Sequence, residues 1–310
     1  MTAASEGPAA TDPTSTADPP RAAVVEAVAR AIAEDVLPLG DLSALLVPGD
    51  AVASVAIVSR GAGVIAGRAC AMETFTQIDP TLTVDWRKAD GAAVGAGDSV
   101  AGITGPLRSI LTAERTALNF LGHLSGVASL TRRYVDAVAG ANPATRVLDT
   151  RKTTPGLRSL EKAAVRAGGG HNHRGSLSEA VLIKDNHLGG ISIAEAVAGA
   201  RHRWPGRMIE VECERADQVA EALRAGVTVI MLDNMAPGQV ADCVARVRAS
   251  GTATLVEVSG RMDLESAPVM AAAGADLISI GALTHSAPVL DLGFDLCRLP
   301  AGKADHAPGH

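Results

Sequence analysis

The second half of the chain repeats one pattern, in which a short apolar run ends in polar or small residues and an amphipathic helical stretch usually follows. Alternating strands and helices predict parallel strands, because each crossover returns the chain to the same edge of the sheet. Polar residues at the carboxyl ends of the strands favour an α/β barrel, with an open doubly wound sheet as the alternative. Six runs have this pattern: Val147–Asp149, Val181–Lys184, Ile209–Glu212, Val229–Asp233, Leu255–Ser259 and Leu277–Gly281.

The first half has mixed patterns. A helical stripe of Val and Ile runs through Arg21–Val36, and Thr112 is predicted to cap a long helix from Ala113 to about Val138. Strands are predicted between these helices, so this half is expected to be a small α+β domain. The predicted strands are Val52–Ser59, Gly63–Ala71 and Val94–Ile103.

These patterns predict two domains and two tails. The division between the domains is expected within residues 125–145, near Gly140 and Pro143. The tails are poor in apolar residues and are expected to be disordered. The predicted organisation is a tail at 1–20, an N-terminal domain at 21–127, a barrel domain at 128–288, a return segment at 289–300 that packs on the N-terminal domain, and a tail at 301–310.

Charge and composition exclude several classes of protein. The net charge of -6 argues against a general nucleic-acid or anionic-membrane surface. The four cysteines lack metal-ligand spacing and indicate a reducing cytosol. No apolar run is long enough to span a bilayer, and no secretory signal is expected, so the protein is predicted to be cytoplasmic. No Gly-x-Gly-x-x-Gly follows the first strand, which argues against dinucleotide binding.

A basic cluster stands out on this acidic background. Arg151 and Lys152 follow a buried strand, Gly168–Gly170 lead into His171, His173 and Arg174, and Lys184 ends the next strand. From Arg146 to His187 there are eight Lys and Arg against four Asp and Glu. Three glycines allow a close approach to a ligand or a positive φ. This cluster is typical of a small substrate with several negative charges.

Carboxylates and small residues end the later strands. Glu210 and Glu212 share one face of their strand, Asp233 closes the next, and Glu257 lies in the one after. Such carboxylates can hold ribose hydroxyls, coordinate magnesium or pair with the cations. Ser259-Gly260 and Gly281-Ala282 expose backbone N–H groups, as at barrel phosphate sites. Together with the cations they indicate a phosphorylated substrate.

These residues resemble the quinolinate phosphoribosyltransferase family, and the likeness runs from about Arg21 to Leu296. The most specific motifs lie in the middle of the chain, and shorter ones include Gly40–Ser43 and Glu114–Asn119. The resemblance rests chiefly on Asp149–Arg158, Leu160–Lys162, Gly168–Gly170, Asn172–Arg174, Leu182–His187, Glu210–Glu212, Met231–Asn234 and Ser279–His285.

The resemblance implies an N-terminal α+β domain followed by an incomplete α/β barrel of fewer than eight parallel strands. It implies conversion of quinolinate and phosphoribosyl pyrophosphate to nicotinate mononucleotide, carbon dioxide and pyrophosphate with Mg²⁺. It further implies a homodimer in which Arg115 of one subunit enters the site of the other.

Site residues follow from the same resemblance. Those expected around the quinolinate carboxylates are Arg115, Arg151, His173, Arg174 and Lys184. Lys152 and Lys184 would face pyrophosphate, while Glu212 and Asp233 would hold the ribose and its magnesium, directly or through water; these four are the candidate catalytic residues. The 5-phosphate would lie against Ser259, Gly260, Gly281 and Ala282, with His285 in support.

Five residues depart from the family pattern, and three other functions stay open. Gly175-Ser176, His171, Arg261 and Ser43 stand where the family usually has other residues, without removing a charged ligand. A relative acting on another aromatic acid, such as the pyrophosphorylase-like protein of molybdate-transport operons, would need fewer cations. A Schiff-base aldolase would use Lys184 as its amine. A metal hydrolase would use His171, His173 and His187.

Overall fold

The structure is a computed structural model in which residues 18–298 are described. The predicted tails therefore lie outside the described residues, apart from 18–20. Seven elements form most of the N-terminal half, and a single 3-10 turn follows the first of them at Ala44–Leu46. These elements are α1 (Arg21–Val36), β1 (Val52–Ser59), β2 (Gly63–Val64), α2 (Arg68–Ile78), β3 (Thr83–Trp86), β4 (Ala93–Val94) and β5 (Ser99–Pro106).

Helix α1 and strand β1 have the predicted bounds, whereas the predicted strand at Gly63–Ala71 is wrong beyond Val64. Gly67 has φ 96° and turns the chain. The residues that follow bury Cys70, Ala71, Thr74 and Phe75, a helical spacing that forms α2. The apolar composition of Gly63–Ala71 fits a strand equally well, and only the spacing of buried residues beyond Ala71 indicates a helix.

Helix α3 (Leu107–Ala141) joins the two halves without a linker. It begins after Pro106, so the predicted cap at Thr112 is wrong. Thr112 lies inside the helix, where its Oγ1 donates to the Arg108 carbonyl at 3.0 Å. Leu121 packs in the N-terminal core and Val127 in the C-terminal core. The predicted division at 127/128 therefore falls within a continuous helix shared by both cores.

The C-terminal half contains one sheet of six parallel strands in the order β6-β11-β10-β9-β8-β7. Each strand overlaps a predicted run, and β6 and β8 each extend one residue beyond theirs, to Arg146 and Cys213. The elements are β6 (Arg146–Leu148), α4 (Arg158–Ala167), β7 (Val181–Ile183), α5 (Asp185–Leu188), α6 (Ile193–Arg203), β8 (Ile209–Cys213), α7 (Ala216–Ala225), β9 (Val229–Asp233), α8 (Pro237–Ala249), β10 (Leu255–Ser259), α9 (Ser266–Ala272), β11 (Leu277–Ser279), α10 (Ala282–His285) and β12 (Leu292–Arg298).

The sheet curves through six strands but does not close. Within residues 18–298 no ladder joins the edge strands β6 and β7, and a single bridge links Leu148 to His171 between them. The predicted parallel sheet of fewer than eight strands is confirmed. Strand β12 leaves this sheet and pairs antiparallel with β1, with Phe294 opposite Ile57. In the described part of the chain, no helix combines the length and apolar character needed to cross a membrane.

Candidate active site

A cavity of about 580 Å³ opens at the carboxyl ends of the C-terminal strands. Parallel strands deliver the residues that follow them to this one edge, which explains why distant segments meet here. Asn234, Arg261 and Ser279 also line the cavity. Nine of the predicted site residues line it: Arg151, Lys152, His173, Arg174, Lys184, Glu212, Asp233, Ser259 and Gly260.

Arg151 and Arg174, two of the three arginines that line the cavity, lie close enough for their charges to interact. Arg174 is half-buried, and burial together with the charge of Arg151 lowers its pKa, against the raising effect of Glu210. Arg151 Nε is buried and has no hydrogen-bond partner among the described residues. Two guanidinium groups held together in this way repel one another, and an anion between them would relieve the repulsion.

Lys184 and Glu212 form an ion pair across the neighbouring strands β7 and β8. The Lys184 side chain is 38% exposed and that of Glu212 is 12% exposed. Asp233 ends β9, the next strand, and accepts a hydrogen bond from Asn234 Nδ2 at 2.7 Å. The cavity therefore has carboxylates on adjacent strands opposite its cations.

A buried ion pair supports the loops that carry the cations. Lys162 donates to Asp149 Oδ1 and, at 2.7 Å, to the His173 carbonyl. Asp149 also accepts from Asn172 Nδ2 at 2.6 Å and from the His173 backbone N–H at 2.9 Å. Burial raises the pKa of Asp149 and lowers that of Lys162, and their mutual attraction opposes both shifts. The pair joins the end of β6, helix α4 and the loop before β7.

A second buried acid supports the loop after β6. Glu161 is fully buried, accepts from the Thr154 backbone N–H at 3.0 Å and contacts His123 Nε2 at 2.8 Å. From the other side of the loop, Thr284 Oγ1 donates to the Lys152 carbonyl at 2.8 Å. The loop with Arg151 and Lys152 is thus held from helices α3, α4 and α10.

The glycine triplet approaches a helix in this structure. Gly169 has φ 88°, a left-handed conformation that glycine adopts without strain. A Cβ on Gly168 would lie 2.5 Å from the Ala128 carbonyl of α3, and one on Gly170 would lie 2.7 Å from the Thr131 side chain. The triplet therefore lets the loop before β7 pack directly on α3.

Four predicted site residues do not line the cavity. Gly281 borders it, since a Cβ there would lie 3.0 Å from Lys152 Cδ and 3.1 Å from His285 Nε2. Ala282 begins α10, and His285 ends it with Nδ1 at 2.7 Å from Ser286 Oγ. Arg115 is exposed on α3 and lines a separate cavity of about 210 Å³. A single chain does not bring Arg115 to the other cations.

His173, Glu210 and Glu257 were each marked by the sequence, but their meeting in one polar cluster beneath the cavity floor was not predicted. His173 Nε2 lies 3.0 Å from Glu210 Oε2 and 3.6 Å from Glu257 Oε2, and both carboxyl groups are 1% exposed. Ser279 donates to Glu257 Oε1. Burial and the charge of Glu210 raise the pKa of Glu257 to about 8. An acid inside an otherwise apolar strand is the sequence signal that marks both glutamates.

Burial lowers the pKa of His173, but the hydrogen bond to Glu210 and the two carboxylate charges outweigh burial and raise it. His173 Nδ1 accepts the Arg174 backbone N–H at 2.8 Å, an arrangement that protonation of Nδ1 would break. Part of this rise comes from the charge of Glu257, which is lost when Glu257 is protonated. With Glu257 neutral, the hydrogen bonds fit a neutral ring with its proton on Nε2, directed at Glu210.

Two of the alternative functions can be compared with this geometry. Among residues 18–298, the one group with metal-ligand spacing is His173, Glu210 and Glu257, without the His171 and His187 of a metal hydrolase. In that group the proton on Nε2 occupies the lone pair that a metal would need. Lys184 is ion-paired with Glu212 and partly exposed, unlike the desolvated amine of a Schiff-base enzyme.

The fold and the cavity define a protein with an incomplete α/β barrel and a cavity lined by cations and carboxylates at the carboxyl rim of its strands. The family models for the C-terminal and N-terminal domains of quinolinate phosphoribosyl transferase match residues 127–295 and 41–125. The chain belongs to this family.

Individual relatives agree. A probable nicotinate-nucleotide pyrophosphorylase [carboxylating] of Bacillus subtilis is 41% identical over 260 residues, covering 83% of this chain and 88% of the relative. The nicotinate-nucleotide pyrophosphorylase [carboxylating] of Mycobacterium leprae is 40% identical over 256 residues, covering 81% and 88%. The structure of the nicotinate-nucleotide pyrophosphorylase from Francisella tularensis has a TM-score of 0.84 at 36% identity, covering 89% of this chain and 97% of that one.

Proposed function

We propose that this protein is an enzyme, a pentosyltransferase that converts quinolinate and phosphoribosyl pyrophosphate to nicotinate mononucleotide, carbon dioxide and pyrophosphate in de novo NAD biosynthesis. Family membership over both domains supports this activity. The observation that carries it is the convergence of Arg151, Arg174, Lys152 and Lys184 on one cavity, where Arg151 Nε is buried without a hydrogen-bond partner among the described residues. Such a site suits a small polyanion.

Quinolinate would lie between the arginines. A planar guanidinium matches a carboxylate with two parallel hydrogen bonds, and the unpartnered Nε of Arg151 leaves one donor available. Lys184 can neutralise further charge on the same side, and Lys152 would meet the pyrophosphate that leaves. His173 lines the cavity beside Arg174, and its ring nitrogens are engaged with neighbouring groups. Its part in quinolinate binding would therefore be indirect.

The phosphoribosyl donor would lie along β8 to β11. Glu212 and Asp233 would hold its ribose hydroxyls, and Ser259 and Gly260 would meet the 5-phosphate through hydroxyl and backbone N–H groups. The 5-phosphate site would continue onto α10 with Gly281, Ala282 and His285. The contact distance from Gly281 to Lys152 supports this placement, since it puts α10 beside the cation at the cavity rim.

Mg²⁺ fits the oxygen donors of the same wall. Glu212 and Asp233 offer carboxylates on adjacent strands, and Mg²⁺ prefers one or two carboxylates together with phosphate and water oxygens. When bound, the ion neutralises the pyrophosphate charge. The ion pair between Glu212 and Lys184 is consistent with contact to Mg²⁺ through water.

The chemistry requires charge stabilisation and no covalent nucleophile. Loss of pyrophosphate leaves oxocarbenium character on the ribose, which Glu212 and Asp233 would stabilise while Lys152 neutralises the leaving group. The pyridine nitrogen then attacks. Decarboxylation of the resulting cationic ring breaks the bond to the carboxylate and leaves its electron pair on the ring carbon beside that nitrogen, which then takes up a proton from water. The arginines hold the remaining carboxylate in place.

We infer that the enzyme is a homodimer that shares Arg115 between subunits. Arg115 is exposed and separated from the cavity in a single chain, which supports a role in a second copy. Near it the chain exposes apolar residues that a partner would cover, and a groove of about 1010 Å³ with Leu177 and Trp204 lies beside Arg174. The exposed apolar residues are Leu37, Leu39, Leu42, Leu45 and Leu46.

The first test is chromatographic detection of nicotinate mononucleotide from quinolinate, phosphoribosyl pyrophosphate and Mg²⁺, with nicotinate as a parallel substrate. Product from quinolinate alone is the expected result. Turnover of nicotinate but not quinolinate would contradict the proposal and favour a relative acting on a mono-acid. Omission of Mg²⁺ with a chelator present should abolish product formation. Full activity without Mg²⁺ would contradict the proposed requirement for the ion.

The shared site has its own test. Arg115→Ala and Lys184→Ala subunits, each inactive alone, should recover roughly a quarter of wild-type activity when mixed, because half of the dimers are mixed and each has one intact site. Mixing that yields mixed dimers by mass spectrometry without activity would contradict the sharing of Arg115.

The remaining proposals concern location and partners. The protein is proposed to act in the cytoplasm, because its four cysteines are free and three of them are buried. Small-molecule substrates are the proposed partners. A net charge of -6 does not favour nucleic acid or anionic membrane as a partner.

A further inference from the structure

The floor of the cavity rests on a layer of polar groups inside the barrel. Glu210 lies on β8, Glu257 on β10 and Ser279 on β11, while His173 comes from the loop before β7. His173 and Ser279 line the cavity, and Glu257 contacts both from below. One side chain therefore touches two separate parts of the floor.

The orientation of His173 is set from both ends of its ring. Nε2 meets Glu210 at 3.0 Å with Glu257 at 3.6 Å, and Nδ1 accepts the Arg174 backbone N–H at 2.8 Å. Asp149 accepts the His173 backbone N–H at 2.9 Å. Through Nδ1, the ring fixes the backbone of Arg174, whose side chain lines the cavity.

The two carboxyl groups need one proton between them. Both are 1% exposed, and two adjacent buried carboxylates beside a neutral ring would leave uncompensated charge. A protonated Glu257 can donate to Glu210, whose Oε1 is buried and has no other partner among the described residues. The raised pKa of Glu257, about 8, supports its role as the neutral acid of the pair.

We propose that Glu257 is a positioning residue for quinolinate: from beneath the floor it holds Ser279, Glu210 and His173, and through the His173 ring it places Arg174 against the substrate. The assignment rests on the proposed function, since it names the quinolinate side of that same site. Glu257 itself does not line the cavity, so its effect on binding acts through His173 and Ser279. Among the described residues, no side-chain hydrogen bond or ion pair joins Glu257 to β9 or α10, so its link to the phosphoribosyl side of the cavity is Ser279 on β11.

Steady-state kinetics of two variants test this role. Glu257→Leu removes every hydrogen bond and should raise the KM for quinolinate about tenfold or more, with the KM for phosphoribosyl pyrophosphate within about twofold. Glu257→Gln keeps one acceptor and one donor and should stay within about threefold of wild type in both KM and kcat. Glu265→Leu, at an exposed position, is the matched control and should behave as wild type.

Several outcomes would overturn the proposal. Equal changes in the two KM values, or a change in kcat alone, would show a general structural role. A Glu257→Gln enzyme as impaired as Glu257→Leu would show that a charged carboxylate is needed. Stoichiometric transition metal in the wild-type protein, measured by mass spectrometry and lost in Glu257→Gln, would replace hydrogen bonding by metal ligation. An inactive wild-type enzyme would instead contradict the proposed function, before any variant is compared.

A measurement on the wild-type protein covers the case in which Glu257→Leu does not fold. Long-range ¹H–¹⁵N NMR of histidine-labelled protein, with His173 assigned from a His173→Gln variant, distinguishes the two tautomers and the cation. The expected result near pH 7 is a neutral ring protonated on Nε2. A ring protonated on Nδ1 would exclude the contact with Arg174 and with it the proposed placement of that arginine.

Discussion

The cations and the carboxylates of the cavity come from different parts of one sheet. Among residues 18–298, the edge strands β6 and β7 are not joined by a ladder, and the gap between them is called the seam. The cations flank this seam, since Arg151 and Lys152 follow β6, Arg174 precedes β7, and Lys184 follows β7. The carboxylates lie on the neighbouring strands β8 and β9, away from β6. One half of the site is thus built on loops beside edge strands, and the other on paired strands.

The two halves are held in place by different forces. Ladder hydrogen bonds on both sides fix β8 and β9, so the direction of a side chain there follows from the pleat. The seam loops lack a ladder between them and depend instead on buried ionic groups, Asp149 with Lys162 and Glu161 with His123. Substitutions of the buried ionic groups should therefore affect stability, while those on the strand side should mainly affect chemistry.

The largest expected effect is loss of turnover from the seam side. Arg151→Ala should lower kcat/KM on the order of a thousandfold, because the paired guanidinium groups are proposed to orient quinolinate and stabilise charge in the transition state. The free energy of unfolding should change by less than about 1 kcal/mol, since Arg151 Nε has no partner to lose among the described residues. Denaturant titration and steady-state assay check both, with Arg224→Ala on α7 as the exposed control. Near-normal turnover of the Arg151→Ala variant would contradict the proposed role of Arg151 in quinolinate binding.

The next effect distinguishes a residue that supports the loops from one that is proposed to take part in the reaction. Asp149→Asn leaves the ammonium group of Lys162, a residue that is 6% exposed, without its counter-charge and should cost about 3–5 kcal/mol of unfolding free energy. Asp233→Asn on the strand side should cost less than about 1 kcal/mol, because Asp233 is half-buried and its side chain bonds only to Asn234 among the described residues. It should still lower kcat, because Asp233 is proposed to hold the ribose. Urea titration of both variants measures the contrast. Equal losses of stability would end the distinction between the two halves.

The sequence predicted one half of this site better than the other. Alternation of strands and helices placed Glu212 and Asp233 at adjacent strand ends, because strand geometry alone sets where they point. It could not show that Glu161, in a helix of mixed polarity, is fully buried, because its partner His123 lies 38 residues away in sequence. Buried contacts between distant segments depend on packing, which a local pattern does not encode.

A similar limit applies to the long helix. Thr112 has the residue type of a cap, but the helix begins at Leu107, because Pro106 suits the turn into a helix and the apolar stripe continues upstream through Ile110. Tertiary packing of that stripe in the N-terminal core outweighs the local preference of threonine. By contrast, α1 had the predicted bounds, with Val24 and Val28 on its buried stripe.

A third expected effect is a pH dependence of the free energy of unfolding, caused by Glu257 beneath the cavity floor. The pKa of Glu257 is raised from 4.5 to about 8 in the folded protein, first by burial and then by Glu210. Between those values the folded protein binds more protons than the unfolded chain, so the free energy of unfolding falls as the pH rises from 4.5 and levels off above about 8. The contribution should be about 2–4 kcal/mol.

Glu257→Gln isolates this contribution, because glutamine does not titrate. Urea titrations of both proteins between pH 5 and 9 should show the wild type losing stability relative to the variant as the pH rises. If the difference in unfolding free energy between the two proteins did not change with pH, the pKa of Glu257 would be the same in the folded and unfolded states. Glu257 would then not be the neutral acid of the buried cluster.

The smallest expected effect concerns the strand side, where Gly260 follows β10. Its φ is 137°, and a Cβ there would lie 2.6 Å from Asn234 Oδ1. Asn234 is itself held at φ 54° with its N–H donating to the Ser259 carbonyl at 3.0 Å. Gly260→Ala should therefore cost about 1–2 kcal/mol of unfolding free energy, through backbone strain and displacement of Asn234.

The same substitution should raise the KM for phosphoribosyl pyrophosphate several-fold and leave the KM for quinolinate nearly unchanged, since Gly260 is proposed to meet the 5-phosphate and the arginines across the cavity are untouched. Gly238→Ala on α8 is the matched control, because a Cβ there meets open space and alanine favours a helix. An equal rise in both KM values would show that strain at β10 reaches the seam loops, and the two halves of the site would then act as one rigid unit.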